Sequence, residues 1–167
     1  IEALTDDRNA MLAIAMNGQP LPVQHGFPVR MVVPGLYGYV SATKWLVDLE
    51  VTTFDKFSAF WTQRGWSEKG PVKTESRIDV PGNGATVKAW SLRIGGSAWA
   101  QHTGIEKVEY QLDGAAWQEA QLGQVPGVDT WVQSSGTVDV AAGEHRVLVR
   151  ATDKSGYTQT SARADVL

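Results

Sequence analysis

Residues 108–114 read Val-Glu-Tyr-Gln-Leu-Asp-Gly, and the fold of the second half of the chain turns on them. Val108, Tyr110 and Leu112 alternate with Glu109 and Gln111, the period-two pattern of a strand with one face in a core. Asp113-Gly114 then supplies two residues that tolerate positive φ, a hairpin signal. The same texture recurs on either side. Val147, Val149 and Ala151 alternate with Arg146 and Arg150 between Gly143 and Ser155-Gly156, and further strands can be drawn through 89–94, 117–122, 130–140 and 157–166. Six or seven short strands in residues 72–167, separated by turns, predict an immunoglobulin-like β-sandwich.

Upstream of Glu68-Lys69-Gly70-Pro71 the texture changes, so the boundary is placed there, with 1–71 and 72–167 as separate domains. Asp6-Asp7-Arg8-Asn9 ahead of the apolar run Ala10–Met16 predicts a short helix with an acidic start, stopped by Asn17-Gly18. From Gln19 to Gly38, prolines and glycines interrupt short apolar runs, the mark of a loop-and-strand region. Trp45, Val47, Leu49 and Val51 predict a strand over 43–53, and Phe57, Phe60 and Trp61 predict a helix over 54–66.

Composition narrows the function classes. A net charge of −3, with both halves close to neutral, gives no attraction to nucleic acid or to an anionic membrane surface. There is no cysteine, which removes disulfides, thiolate metal ligands and thiol nucleophiles from this sequence. The longest apolar runs fall well short of the ~20 residues that span a bilayer, and Ile-Glu-Ala-Leu at the start, without Met, is read as the beginning of a fragment or processed product. No GxxxxGK, HExxH or Gly-x-Ser-x-Gly sequence is present. Trp90, Trp99, Trp117 and Trp131 lie in or beside strand patterns and are read as core or interface rather than as a sugar platform, while Trp45, Trp61 and Trp66 are read as packing the first half.

Residues 17–45, NGQPLPVQHGFPVRMVVPGLYGYVSATKW, hold the chemistry. His25, Arg30 and Lys44 sit on short Gly/Pro-punctuated segments around the apolar strand Met31-Val32-Val33. Arg offers a planar fork, Lys a point charge and His a ring donor, and together they make a clamp for an anion such as a phosphate. Taken one at a time, each is an ordinary loop or surface residue, and their spacing alone leaves that reading open beside the anion clamp.

This run resembles the pterin-phosphate-binding stretch of the sulfite oxidase family of molybdenum enzymes. Asn17, Gly18, Pro20, Leu21, Pro22, His25, Gly26, Pro28, Arg30, Pro34, Gly35, Lys44 and Trp45 all match that family's pattern. The resemblance implies a mainly β chain: the end of an α+β molybdopterin-binding domain over 1–71, then an Ig-like dimerisation domain over 72–167. It implies that His25 and Arg30 contact the pterin and its phosphate, with Ala42, Thr43 and Lys44 closing the other side. It implies molybdopterin in a longer parent oxidoreductase acting on a small oxyanion as a homodimer, in an extracytoplasmic or membrane-attached setting, though a cytoplasmic one stays open. This segment alone is expected to lack the cofactor, the metal and activity, because the family's metal-ligating cysteine precedes this stretch. The family also places an arginine after an Ala-Trp pair. Here Ala98-Trp99 is followed by Gln101, His102 and Gly104, which leaves His102 as the pocket candidate and sulfite oxidation in question. The competing reading is a non-enzymatic Ig-like binding or self-association module.

Overall fold

The computed structural model describes residues 2–162. The chain is mainly β and divides into two compact units, one holding the described residues up to Val72 and the other spanning Lys73–Ala162.

The first unit begins with a single helical turn, α1 (Glu2–Thr5). It continues through β1 (Met11–Ala13), β2 (Ala15–Met16), β3 (Gln19–Pro20) and β4 (Arg30–Val32). The helix predicted over 6–16 does not form. Asn9 takes a left-handed backbone, Met11–Ala13 pairs antiparallel with Arg30–Val32, and β2 folds back on β3. Asn17 and Gly18, at φ 52° and 75°, make the two-residue turn of that small hairpin. Pairing with β4 thus overrides the local helical pattern.

The strand predicted over 43–53 is also absent beyond one bridge, Arg30 opposite Lys44. Trp45 follows with φ 55°, which breaks the extended path, and Val47 is 97% exposed. The helix predicted over 54–66 reduces to turns and a 3₁₀ segment, Thr62–Arg64, closed by left-handed Gly65. Aromatic contacts draw this stretch into a knot instead: Phe60 meets Trp61, Trp61 meets Trp66, and Trp66 meets Tyr39 edge-on with ring centres 4.9 Å apart. Trp61 and Trp66 therefore pack the first half, as read from sequence, although both stay partly exposed. The Tyr37 N–H donates to the Gly70 carbonyl and the Val72 N–H to the Gly35 carbonyl, which returns the end of the unit to its own loop.

The second unit contains β5 (Glu75–Val80), β6 (Trp90–Trp99), β7 (Ile105–Leu112), β8 (Gln118–Glu119), β9 (Gln121–Leu122), β10 (Val132–Val140) and β11 (Val147–Asp153). One antiparallel sheet has the order β5-β6-β10-β9, the other β11-β7-β8. The chain changes sheets at Ala120, between β8 and β9, where its N–H donates to the Val108 carbonyl. A four-stranded and a three-stranded sheet around one core is the arrangement expected of an immunoglobulin-like sandwich.

That core is built from alternate residues of both sheets: Leu92, Ile94 and Ala98 on β6, Val108 and Tyr110 on β7, Val132, Val138 and Val140 on β10, and Ala151 on β11. The Tyr110 hydroxyl reaches the Ser134 hydroxyl of the opposite sheet at 2.8 Å, so the largest core side chain has its polar end satisfied. The Asp113-Gly114 turn forms where predicted and joins β7 to its β8 partner. Of the strand predicted over 157–166, Thr158 bridges Thr152 and the Gln159 N–H donates to Ala151; residues 163–166 lie outside the described ones. None of the four strand-associated tryptophans is in the core. Trp90 is 83% exposed, Trp99 and Trp131 meet at a tilt with ring centres 5.0 Å apart, and Trp117 lies under the Arg150 guanidinium.

Candidate functional site

The candidate clamp lies in the first unit. Pro22 starts a 3₁₀ turn, Val23–His25, which ends at Gly26 with φ 115°. A Cβ on Gly26 would come 3.0 Å from the Arg30 Cβ and 3.3 Å from the Lys44 Cβ and Cγ. The His25-Gly26 turn therefore rests on the stems of both cations. Only a residue without a side chain, and at ease with positive φ, lets it come that close.

Arg30 and Lys44 face each other across an antiparallel bridge. Directly opposed residues in such a pair project to the same side, and like charges there repel. Two further backbone bonds fix the register: the Met31 N–H donates to the Thr43 carbonyl at 2.9 Å, and the Leu46 N–H to the Val29 carbonyl at 3.2 Å. Ala42, at φ 60°, and Trp45, at φ 55°, are both held in the left-handed region on either side of this pairing. Such backbones cost about 1–3 kcal/mol each and collect at ligand-binding segments.

Each cation is aimed by neutral groups. Lys44 Nζ donates to the Gln24 carbonyl at 3.1 Å and lies 5.4 Å from the centre of the Trp45 ring. Trp45 Nε1 in turn donates to the Val23 carbonyl at 3.0 Å, which fixes the ring under the lysine. Arg30 Nη1 reaches the His25 carbonyl only at 3.5 Å. Arg30 Nε is buried and has no hydrogen-bond partner. Neither Arg30 nor Lys44 makes an ion pair among the described residues. Two like charges set opposite each other, one with a buried unpaired donor, is an arrangement that an anion would relieve.

The structure thus brings Arg30, Lys44 and the His25 turn together, with Thr43 and Ala42 next to them in chain. Thr43 and His25 have exposed side chains, and the Thr43 carbonyl is committed to β4. His102 lies in the other unit, in the turn after β6, where its N–H and its Nδ1 both sit 3.1 Å from Asp129 Oδ1. Sequence reasoning missed Trp45 as the lysine's platform and Gly26 as the seat for both cationic stems; the adjacent His25-Gly26 and Lys44-Trp45 pairs were the available signals. No group of three or more His, Asp or Glu side chains able to hold a metal occurs among the described residues.

Residues 1–61 match the family described as oxidoreductase molybdopterin binding domain. Human mitochondrial sulfite oxidase is 34% identical over 139 residues, which cover 72% of this chain and 25% of that protein. The chain is sulfite oxidase-like. Arabidopsis thaliana sulfite oxidase is 29% identical over 194 residues, covering 95% of this chain and 47% of that one. The crystal structure of the sulfane dehydrogenase SoxCD from Paracoccus pantotrophus superimposes with a TM-score of 0.71 at 27% identity, over 95% of this chain and 43% of its own. This sulfite oxidase-like chain therefore spans between a quarter and a half of the length of these relatives. The matched segment contains the whole Arg30/Lys44 arrangement, and nothing in the matches favours a non-enzymatic Ig-like module.

Proposed function

We propose that residues 1–72 form one wall of a pterin-phosphate site in a molybdopterin-dependent oxidoreductase, with Arg30 and Lys44 as its principal anion donors. The observation that carries this is the opposed Arg30/Lys44 pair with the buried, unpartnered Arg30 Nε. A phosphate fits that donor set: the guanidinium can bind it through two N–H groups and the ammonium as a point charge. In this reading the His25 turn, whose carbonyl lies 3.5 Å from Arg30 Nη1, and the adjoining Ala42–Thr43 segment border the same place. When bound, the cofactor supplies the two-electron oxo-transfer chemistry; the residues of this chain bind and orient it. These 167 residues contain no cysteine, so in this reading any thiolate to the metal would come from outside them.

The named relatives act on sulfite and on sulfane sulfur, so a small sulfur compound is the substrate class this reading favours. In the same reading the Lys73–Ala162 unit is the Ig-like domain through which two copies of the protein associate, and His102 is its candidate contribution to substrate contact. The expected setting is extracytoplasmic or membrane-attached; no described helix is long and apolar enough to cross a membrane.

The test is molybdenum and pterin content of the longer protein bearing Arg30→Ala or Lys44→Ala, with thermal melts as a folding check. One charge-assisted bond contributes roughly 1.5–3 kcal/mol, so each variant should hold the cofactor about 10- to 150-fold more weakly. Full occupancy in both variants would remove these residues from the clamp.

A further inference from the structure

At one end of the sandwich, Ile78, Leu92, Val140 and Val147 floor a cavity of about 830 Å³. One wall is the 81–87 segment, the other the β10–β11 connection over residues 141–145. That second wall is pinned from outside the sheets by one side chain. His145 Nδ1 lies 2.7 Å from Asp113 Oδ2 in the β7–β8 turn, and its Nε2 lies 3.1 Å from the Ala141 carbonyl at the start of its own connection. Asp113 completes the lock through the main chain: its Oδ1 accepts the Arg146 N–H at 2.7 Å, and its own N–H donates to the Arg146 carbonyl at 2.9 Å. Gly143, with φ 146°, wraps the connection around the ring, and a Cβ there would lie 4.0 Å from Nε2.

We propose that His145 is a protonation-controlled latch that holds the 141–146 connection over the end cavity through both of its ring N–H groups.

The reason is the character of its two partners. A carboxylate and a carbonyl oxygen can only accept, so both bonds exist together only when both ring nitrogens carry protons, as in imidazolium. The neutral ring keeps one proton. Nδ1 retains it, because the carboxylate is the stronger acceptor, and the Nε2 lone pair is then turned toward the Ala141 oxygen. The bond across the connection is lost while the Asp113 bonds remain. The Asp113 side-chain bond and the Ala141 bond both raise the His145 pKa above its ordinary value. The Arg146 N–H, then His145, hold Asp113 below its usual carboxylate range. A raised His pKa means the latch is fully made below the unfolded value and opens as pH rises through the folded one. A lowered Asp pKa means its share is present above the unfolded value and is lost as pH falls through the folded one. The latch is closed between those two limits. Glu144 and Arg146 are the charged neighbours on the connection itself, Asp113 is the one from the hairpin, and the facing 81–87 segment carries no charge.

The experiment is an NMR titration of the full 167-residue chain between mildly acidic and mildly alkaline pH, following the His145 ring and the backbone amides of the connection. The Ala142 and Gly143 amide shifts should move together with the His145 ring titration, with one shared midpoint, because their peptide groups flank the Ala141 carbonyl that the ring holds. His145→Gln should abolish the step, and Asp113→Asn should move it to lower pH. A step that persists in His145→Gln, or loop amides that ignore the His145 titration while the ring itself titrates, overturns the latch.

Discussion

Gly26 shows how one missing atom arranges a binding site. Its φ of 115° favours glycine, and any Cβ would press on the stems of Arg30 and Lys44 at 3.0–3.3 Å. Gly26→Ala should therefore combine a backbone penalty of about 1–3 kcal/mol with displacement of both cations. In the longer protein it should lower molybdopterin content without any charge having been removed. Normal cofactor content in this variant would show that the turn does not set the cations' positions. The pattern of cations was legible in the sequence because the residue types that bind phosphate are few and lay close together. Their aim was not legible. It depends on the Arg30–Lys44 bridge and on Trp45 donating to Val23, and both follow from tertiary register rather than spacing. His102 illustrates the other outcome, since a loop His gives no sign in sequence that Asp129 will hold both its N–H and its ring.

Among the elements, strands with a period-two pattern were readable wherever a core enforces the pattern. β7, β10 and β11 fall where alternation placed them, because a one-residue slip would turn Tyr110 or Val138 out of the core. The misread segments, 6–16, 43–53 and 54–66, all lie in the first unit, whose apolar residues are not sorted by a core of its own and so give a false period. Two element-scale outcomes are expected. Tyr110→Phe leaves the buried Ser134 hydroxyl without its partner and should cost about 1–3 kcal/mol by denaturant titration. Adding Ser134→Ala should recover part of that loss; strict additivity would mean the two hydroxyls do not act as a pair. The turn after β11 is governed by Asp153. Burial pushes its carboxyl up, but the Ser155 and Thr74 hydroxyls and the Ser155 and Tyr157 N–H groups bring it below its ordinary value. Its contribution is thus present above the ordinary carboxylate pKa and disappears as pH falls through the lowered one. Asp153→Asn should flatten the acid limb of the stability–pH curve, and an unchanged limb would assign that dependence to other carboxyls.

At the scale of the whole molecule the two units have opposite relations to water. The Lys73–Ala162 unit encloses a contiguous core drawn from both of its sheets. Among the described residues of the first unit only Leu21 and Val33 are buried apolar residues, while Leu12, Ile14, Val47, Val51, Phe54, Phe57 and Phe60 are each more than half exposed. An exposed apolar set of this size is a surface that monomeric soluble domains keep covered. The chain spans a quarter to a half of the length of its sulfite oxidase relatives, and the proposed function assigns this face to contact with further parts of a cofactor domain. Two stability outcomes follow from that assignment. Residues 73–162 made alone should unfold in one cooperative transition, because each fully buried Val, Leu or Ile contributes roughly 1.5–3 kcal/mol and a complete core is present. Residues 1–72 made alone should bind hydrophobic dyes, exchange their amides freely and be cut quickly by protease. If instead the short segment melts cooperatively by itself, its exposed aromatics have found partners within those 72 residues, and the Arg30/Lys44 clamp would be a self-sufficient site rather than one wall of a larger one.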